Sequence, residues 1–333
     1  MKTTIHLATK LCLLFAPVSL AFAQGSLTPP GAPAPLFKTL QQVEPRTPIS
    51  ALPFTITTSG SYYVVSNLTG LAGSHGITIN SGVSDVTLDL HGFTLSGVSN
   101  SMNGISATGS STNLHVMNGT LRNWGFSGIQ GVNAINSVYE RLCVLSNVFV
   151  RLACGQGSTV RECVATRNGT AGISAAEFCQ VVDCVARQNA TNGITIQQRS
   201  MVARCLVSEN GFLGISASDE NSISDCTVLQ HGLDGIRVQS RCFVRGNTVQ
   251  GTTGAAAGTN ACIRVTGNNN RIDGNAATFH QRGFSIDAGS NLLLRNSASV
   301  NNTNYFISAG NLVVFVNSGN IATSTNPHAN YDF

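Results

Sequence analysis

The sequence predicts an all-β solenoid, a single-stranded parallel β-helix of about 21 residues per coil. Two columns and a composition carry that expectation. Cys163, Cys184, Cys205 and Cys226 recur every 21 residues, with Cys143 placed 20 residues earlier. The pairs Gly172-Ile173, Gly193-Ile194, Gly214-Ile215 and Gly235-Ile236 keep the same period. Asn168, Asn189 and Asn210 stand four residues before three of those glycines, and His231 before the fourth. A fixed period in this range marks a stack of rungs, each burying its apolar side only against the next. Each repeat divides into short alternating runs rich in β-branched residues, such as Gly193–Ile196 and Val202–Val207, separated by Gly and Asn. With 34 glycines and few leucines per repeat, helical and leucine-rich solenoids are excluded.

In chain order, residues 1–23 read as an export signal. Lys2 and Lys10 precede an apolar run from Leu11 to Phe22, and Ala21-Phe22-Ala23 forms a small-x-small cleavage site. That run is too short to span a bilayer, so the expected location is secreted: extracellular, periplasmic or cell-surface. Residues 24–50 contain SLTPPGAPAP, an extended Pro-rich segment. Residues 51–75 are expected to form an N-terminal β cap, with a hairpin from Phe54 to Leu68 around Ser59-Gly60. Residues 76–320 hold the coils, about eleven rungs in all, and 321–333 form a C-terminal tail. The 27-residue step from Gly235 to Cys262 places a protruding loop at Gly251–Asn260.

Removal of the signal leaves sixteen arginines and Lys38 against fifteen acids. A nearly neutral chain with one lysine offers no polybasic patch, which argues against nucleic acid. The cysteine column reads as an inward stack of free thiols, Cys143, Cys163, Cys184, Cys205 and Cys226, because Cys buries well as a small hydrophobe. Close C-x-x-C spacing with histidine partners is missing, so no metal site and no cofactor are expected. Asn168, Asn189 and Asn210 read as a second interior ladder. That placement makes the glycosylation pattern at Asn168-Gly169-Thr170 and Asn189-Ala190-Thr191 incidental.

With these rungs identified, the chain resembles the right-handed parallel β-helix repeat proteins of the pectin-lyase-like superfold over roughly Ile49 to Ile321. The lead-in Glu44–Ile49, the segments Gly60–Tyr63 and Val86–Phe93, and the terminal Asn326–Asn330 are similar to a secreted bacterial subgroup of unestablished function. The resemblance implies a right-handed helix. It also implies a prior toward polysaccharide binding or cleavage on an exposed sheet face, beside adhesins and tailspikes. Fold alone does not choose among these.

Glycoside hydrolases need paired carboxylates. The acids here are scattered, apart from Asp219-Glu220 and a column holding Glu177 and Asp219 two rungs apart, with Gln198 between them. Calcium-dependent lyases cluster acids, and the sequence has no such cluster. Glu162, Asp183, Arg204, Asp225 and Arg245 mostly alternate in sign beside the cysteine position and read as a cross-strand charge ladder. One patch points to a ligand. The outward column of the Gly-Ile-x strands reads Ser174, Thr195, Ser216, Arg237, Arg264, Ser285. Two arginines on adjacent rungs repel unless something anionic joins them. Asp234, Arg282 and Asp287 fall on neighbouring columns, with His231 and His280 at the edge. Arginine pairs grip carboxylates bidentately. The patch therefore suits an acidic polysaccharide, with no catalytic group evident. The alternatives are a non-catalytic surface rod, in which Asp234 and Asp287 merely neutralise the arginines, or a lyase or glycoside hydrolase.

Overall fold

In a computed structural model the described residues are 44–149, 152–251, 258–314, 316–318 and 325–333. The signal, most of the Pro-rich segment, the middle of the 251–260 loop and residues 319–324 lie outside them. The unit from Pro45 to Phe333 contains no α-helix among its described residues. Every strand pairing in it is parallel, and three strands make a coil. In one coil, Ile173–Ala175 lies on the first face, Gln180–Val182 on the second and Val185–Arg187 on the third.

Twelve strands stack on the first face, from Phe54–Ile56 to Thr303–Ile307. At about 4.8 Å per rung the stack rises about 50 Å. The count exceeds the expected eleven because the segment expected as a hairpin is itself a coil. Phe54–Ile56 pairs in parallel with Ile77–Ile79, and Gly60–Val64 pairs in parallel with Val86–Asp89. Alternation of apolar and polar residues around Ser59-Gly60 fits a corner as well as a hairpin turn, and only pairing partners separate the two. The far end differs similarly. Asn330–Asp332, expected in a tail, forms a third-face strand beside Ser297–Ala298.

Each regular coil turns its three corners on single residues in the left-handed region. Phe178, Asp183 and Gln188 have φ of 58°, 54° and 53°, and Arg199, Arg204 and Glu209 repeat the pattern at 55°, 52° and 55°. The residue after each corner points inward. At the third corner this is Asn147, Asn168, Asn189 and Asn210, all at most 2% exposed. Asn168 Nδ2 donates to Asn189 Oδ1 at 3.0 Å, and Asn189 Nδ2 to Asn210 Oδ1 at 2.9 Å. The same oxygens accept the backbone N–H of the preceding coil's asparagine. A corner amide has no sheet partner, and this side chain supplies one. Asn147 belongs to the ladder although only the next three asparagines are picked out by the Gly-Ile register.

At the second corner the inward position holds Cys163, Cys184, Cys205 and Cys226, each buried as a free thiol. It then passes to Asn247, Asn275, Asn296 and Asn330, which form a ladder of their own. Cys143 does not belong to this column. It pairs in register with Val164, so Leu142 stands in the thiol position, and Cys143 is only half-buried. The 20-residue step is the cause, since a slip of one residue along a strand reverses the side chain's face. Gly246 takes the corner place of Asp225, and Arg245 pairs with Ser224, so Arg245 leaves the charge ladder. Arg204 and Asp183 stay in it, joined by two bonds of 2.8 Å.

The glycine of each Gly-Ile pair is required by space. A Cβ on Gly214 would lie 2.4 Å from the Gly235 carbonyl oxygen and 2.6 Å from a Val228 methyl. The inward apolar column above it, Ile194, Ile215, Ile236 and Ile263, is fully buried.

Candidate functional site

The structure places Arg237 directly opposite Arg264 on adjacent first-face strands. The register that sets them together is the one carrying Ser174, Thr195 and Ser216 below and Ser285 above. Arg237 donates from Nε to Asp234 Oδ2 at 2.6 Å, and Asp234 is fully buried. The other oxygen of Asp234 accepts the Ala261 N–H at 2.8 Å. Arg264 donates from Nε to Asp287 Oδ2 at 2.7 Å, and its Nη1 lies 3.4 Å from Thr259 Oγ1 at the end of the 251–260 loop. Ser285 Oγ donates to Asp287 Oδ1 at 2.8 Å and accepts from Arg282 Nη1 at 2.9 Å. Arg282 also stacks on Phe306, with Cζ 3.6 Å from the ring centroid. All five expected residues therefore cluster in one place, with three cations against two carboxylates, of which Asp234 is buried beneath the surface.

His231 and His280 do not edge this patch. Both are buried, at 2% and 6% exposure. His231 continues the asparagine ladder: Asn210 N–H donates to its Nδ1 at 3.2 Å, and its Nε2 is 3.2 Å from the Val207 carbonyl. Burial pushes its pKa down to about 4, and burial also lowers that of His280. Asp219, expected as half of a carboxylate pair with Glu177, is committed elsewhere. Its Oδ1 accepts the Ser240 N–H at 2.8 Å, and its Oδ2 is 3.4 Å from Arg241.

Two buried acids escape the sequence reading. Glu140, with a side chain 3% exposed, holds His115 at 3.1 Å, Arg141 at 2.6 Å and Arg161. Burial raises its pKa, but the bonds from Arg161 and His115 and the nearby arginine charges outweigh burial and hold it below the usual range. Asp273, 2% exposed, is held by Arg271 at 2.9 Å and Arg295. Each acid joins a basic residue of its own strand to basic residues one coil away, His115 and Arg161 for Glu140 and Arg295 for Asp273, and these last are visible only once the register is known. Cys184, Cys205 and Cys226 are poor nucleophiles. A hydrogen bond to Cys184, together with burial, pushes Cys205 up to about 12. Among the described residues no group of three His, Cys, Asp or Glu is placed to hold a metal, and no helix is long and apolar enough to cross a membrane.

The family model described as a right-handed β-helix region matches residues 175–326. No curated protein matches the sequence. Among solved structures, the A-module of the Azotobacter vinelandii mannuronan C-5 epimerase AlgE6 is similar, with a TM-score of 0.58 and 14% identity over 86% of this chain and 88% of that one. The periplasmic alginate epimerase AlgG gives 0.56 and 14% over 76% and 73%. The Dettilon tailspike protein gives 0.51 and 13% over 86% and 61%. At such identities the likeness is one of fold, and it agrees with the three-faced coil and its ladders: the chain is a right-handed parallel β-helix protein.

Proposed function

We propose that the protein is exported and binds an acidic polysaccharide on its first face, with Arg237 and Arg264 as the anchoring cations. The observation that carries this reading is the in-register stacking of the two arginines, each fixed from the side by its own aspartate. Those aspartates orient the guanidinium groups and do not cancel the patch, because Arg282 adds a third positive charge that rests on Phe306 without a carboxylate partner among the described residues. A planar fork held in place loses little freedom when it meets a sugar carboxylate. The structural neighbours named for mannuronan and alginate chemistry support a polysaccharide ligand. Both aspartates of the patch are committed to arginines, which favours binding over general acid–base catalysis. The same ion pairs favour the competing reading, a non-catalytic rod.

Calorimetry with oligomannuronate at low and high salt separates the two. A first-face site gives affinity that falls as salt rises and drops at least about tenfold in Arg264→Gln/Asp287→Asn, a pair change that strands no charge. No binding of any acidic oligosaccharide to the unaltered protein would leave the rod as the better account.

A further inference from the structure

A groove of about 570 Å³ runs along the corner between the first and second faces, and none of its lining residues belongs to the arginine patch. One wall is the left-handed corner column of four successive coils: Phe178, Arg199, Glu220 and Arg241. Met201 and Phe243 of the second face stand on the other. Glu220 ties the wall together, accepting from Arg199 Nε at 2.6 Å and from Arg241 Nε at 3.0 Å. Arg199 lies over the Phe178 ring with Cζ 5.5 Å from its centroid. Phe178 is 44% exposed, and it adopts φ 58° where the preceding coil turns on Gly157 at 70°. A left-handed conformation is unfavourable for a bulky residue, and here it places an aromatic ring on the surface.

We propose that this groove is a second saccharide site, for an uncharged glycan lying along the solenoid axis. Phe178 and Phe243 stand three coils apart, about 14 Å, and offer sugar C–H faces the ring surface left open by Arg199 over Phe178 and by Arg245 and Arg271 over Phe243. Between them the Arg-Glu-Arg wall supplies planar donors and acceptors for hydroxyl groups, the mixture of aromatic surface and placed polar groups typical of small-molecule sites. Successive rungs repeat at close to the length of one sugar unit in an extended chain, so each coil presents its side chains to successive units. The charges nearly balance, since Arg199 and Arg241 face Glu220 and Asp219.

An extended peptide is the other shape that fits a linear groove, and the backbone argues against it. Strand addition needs free main-chain donors. Here the donors run along the axis into the next coil: Phe178 N–H to the Gln198 carbonyl at 3.1 Å, Arg199 to Asp219 at 3.3 Å and Glu220 to Ser240 at 2.9 Å. The groove floor is closed in the same way, with Cys179 N–H donating to Ser200 Oγ and Ser200 N–H to Asn221 Oδ1.

The test uses calorimetry of the full protein with neutral linear hexasaccharides of glucan, mannan, xylan and galactan, each at low and high salt. The expected result is binding of at least one of them with affinity unchanged by salt. That affinity falls at least about tenfold in Phe178→Asn/Phe243→Ala and stays unchanged in Arg264→Gln/Asp287→Asn. Asn suits the left-handed corner, and an unfolding midpoint equal to that of the unaltered protein keeps the loss from being one of folding. Failure of all four hexasaccharides overturns the proposal. So does neutral-glycan binding that survives the Phe substitutions, or capture of extended peptides alone by the groove. Acidic-glycan binding that is lost in the Arg264 variant, with no neutral hexasaccharide bound by the unaltered protein, would overturn this site and leave the first-face reading standing.

Discussion

Replacing His231 with Asn should remove a specific portion of the protein's acid sensitivity. His231 occupies a ladder position that Asn147, Asn168, Asn189 and Asn210 fill in the coils before it. Because Nδ1 accepts the Asn210 N–H, the ring is neutral with its proton on Nε2, directed at the Val207 carbonyl. A second proton would have to displace that N–H in a site 2% open to solvent. The groups facing it are His280, which disfavours its charge, and beyond His280 the carboxylate of Asp234. The folded pKa is about 4 against 6.5 for the free side chain, so the unfolded chain binds the extra proton more readily. The contribution to stability is therefore complete above pH 6.5 and is lost as pH falls toward 4. Between about pH 7.5 and about pH 4.5 the loss from this residue is about 2.5 kcal/mol. Urea unfolding midpoints at both values measure it, and the difference between the unaltered protein and His231→Asn cancels what His280 and the carboxylates contribute. Equal acid-induced losses in the two proteins would refute the buried neutral imidazole.

Two further outcomes follow from buried groups. The unfolded protein, with residues 1–23 removed, should titrate nine free thiols, and in the native state Cys143 should be alkylated first because it alone is half-exposed; fewer than nine would reveal disulfides. Glu140→Gln should lower unfolding stability by about 3 kcal/mol, the low end for breaking a buried pair, since its arginine partners stay half in solvent; a loss below about 0.5 kcal/mol would mean the carboxylate is dispensable.

The coil was legible because burial demands the same residue type at the same place in every rung. Interior positions such as Ile194, Cys205 and Asn189 have one neighbour above and one below of their own kind, so the period is written directly. Ends and offsets were not legible. Phe54–Val64 satisfies the alternation of a hairpin and of a coil equally, and Asn330 is a lone asparagine until Asn296 is placed beside it. Cys143 misleads because a count of 20 looks like 21 until the register puts it opposite Val164. The patch was found through outward alternation, which gave Arg237, Arg264 and their aspartates. Glu140 and Asp273 were missed because their burial comes from the side chains of neighbouring coils, which one strand's pattern does not contain. The corner groove was missed for the same reason, since its walls are residues 21 apart.

The axial direction of the backbone hydrogen bonds has a mechanical consequence. Tension applied to the two ends of the solenoid pulls along those bonds, and the terminal coil, held by a neighbour on one side only, yields first. Coils should then peel singly, each releasing 21 residues of contour, about 70 Å at the extended limit, less the one rung of rise it occupied. Force spectroscopy on the whole chain should give a staircase of such steps from the regular coils, with longer ones from the 27-residue coil between Ile236 and Ile263 and the 28-residue coil between Ile77 and Ile105.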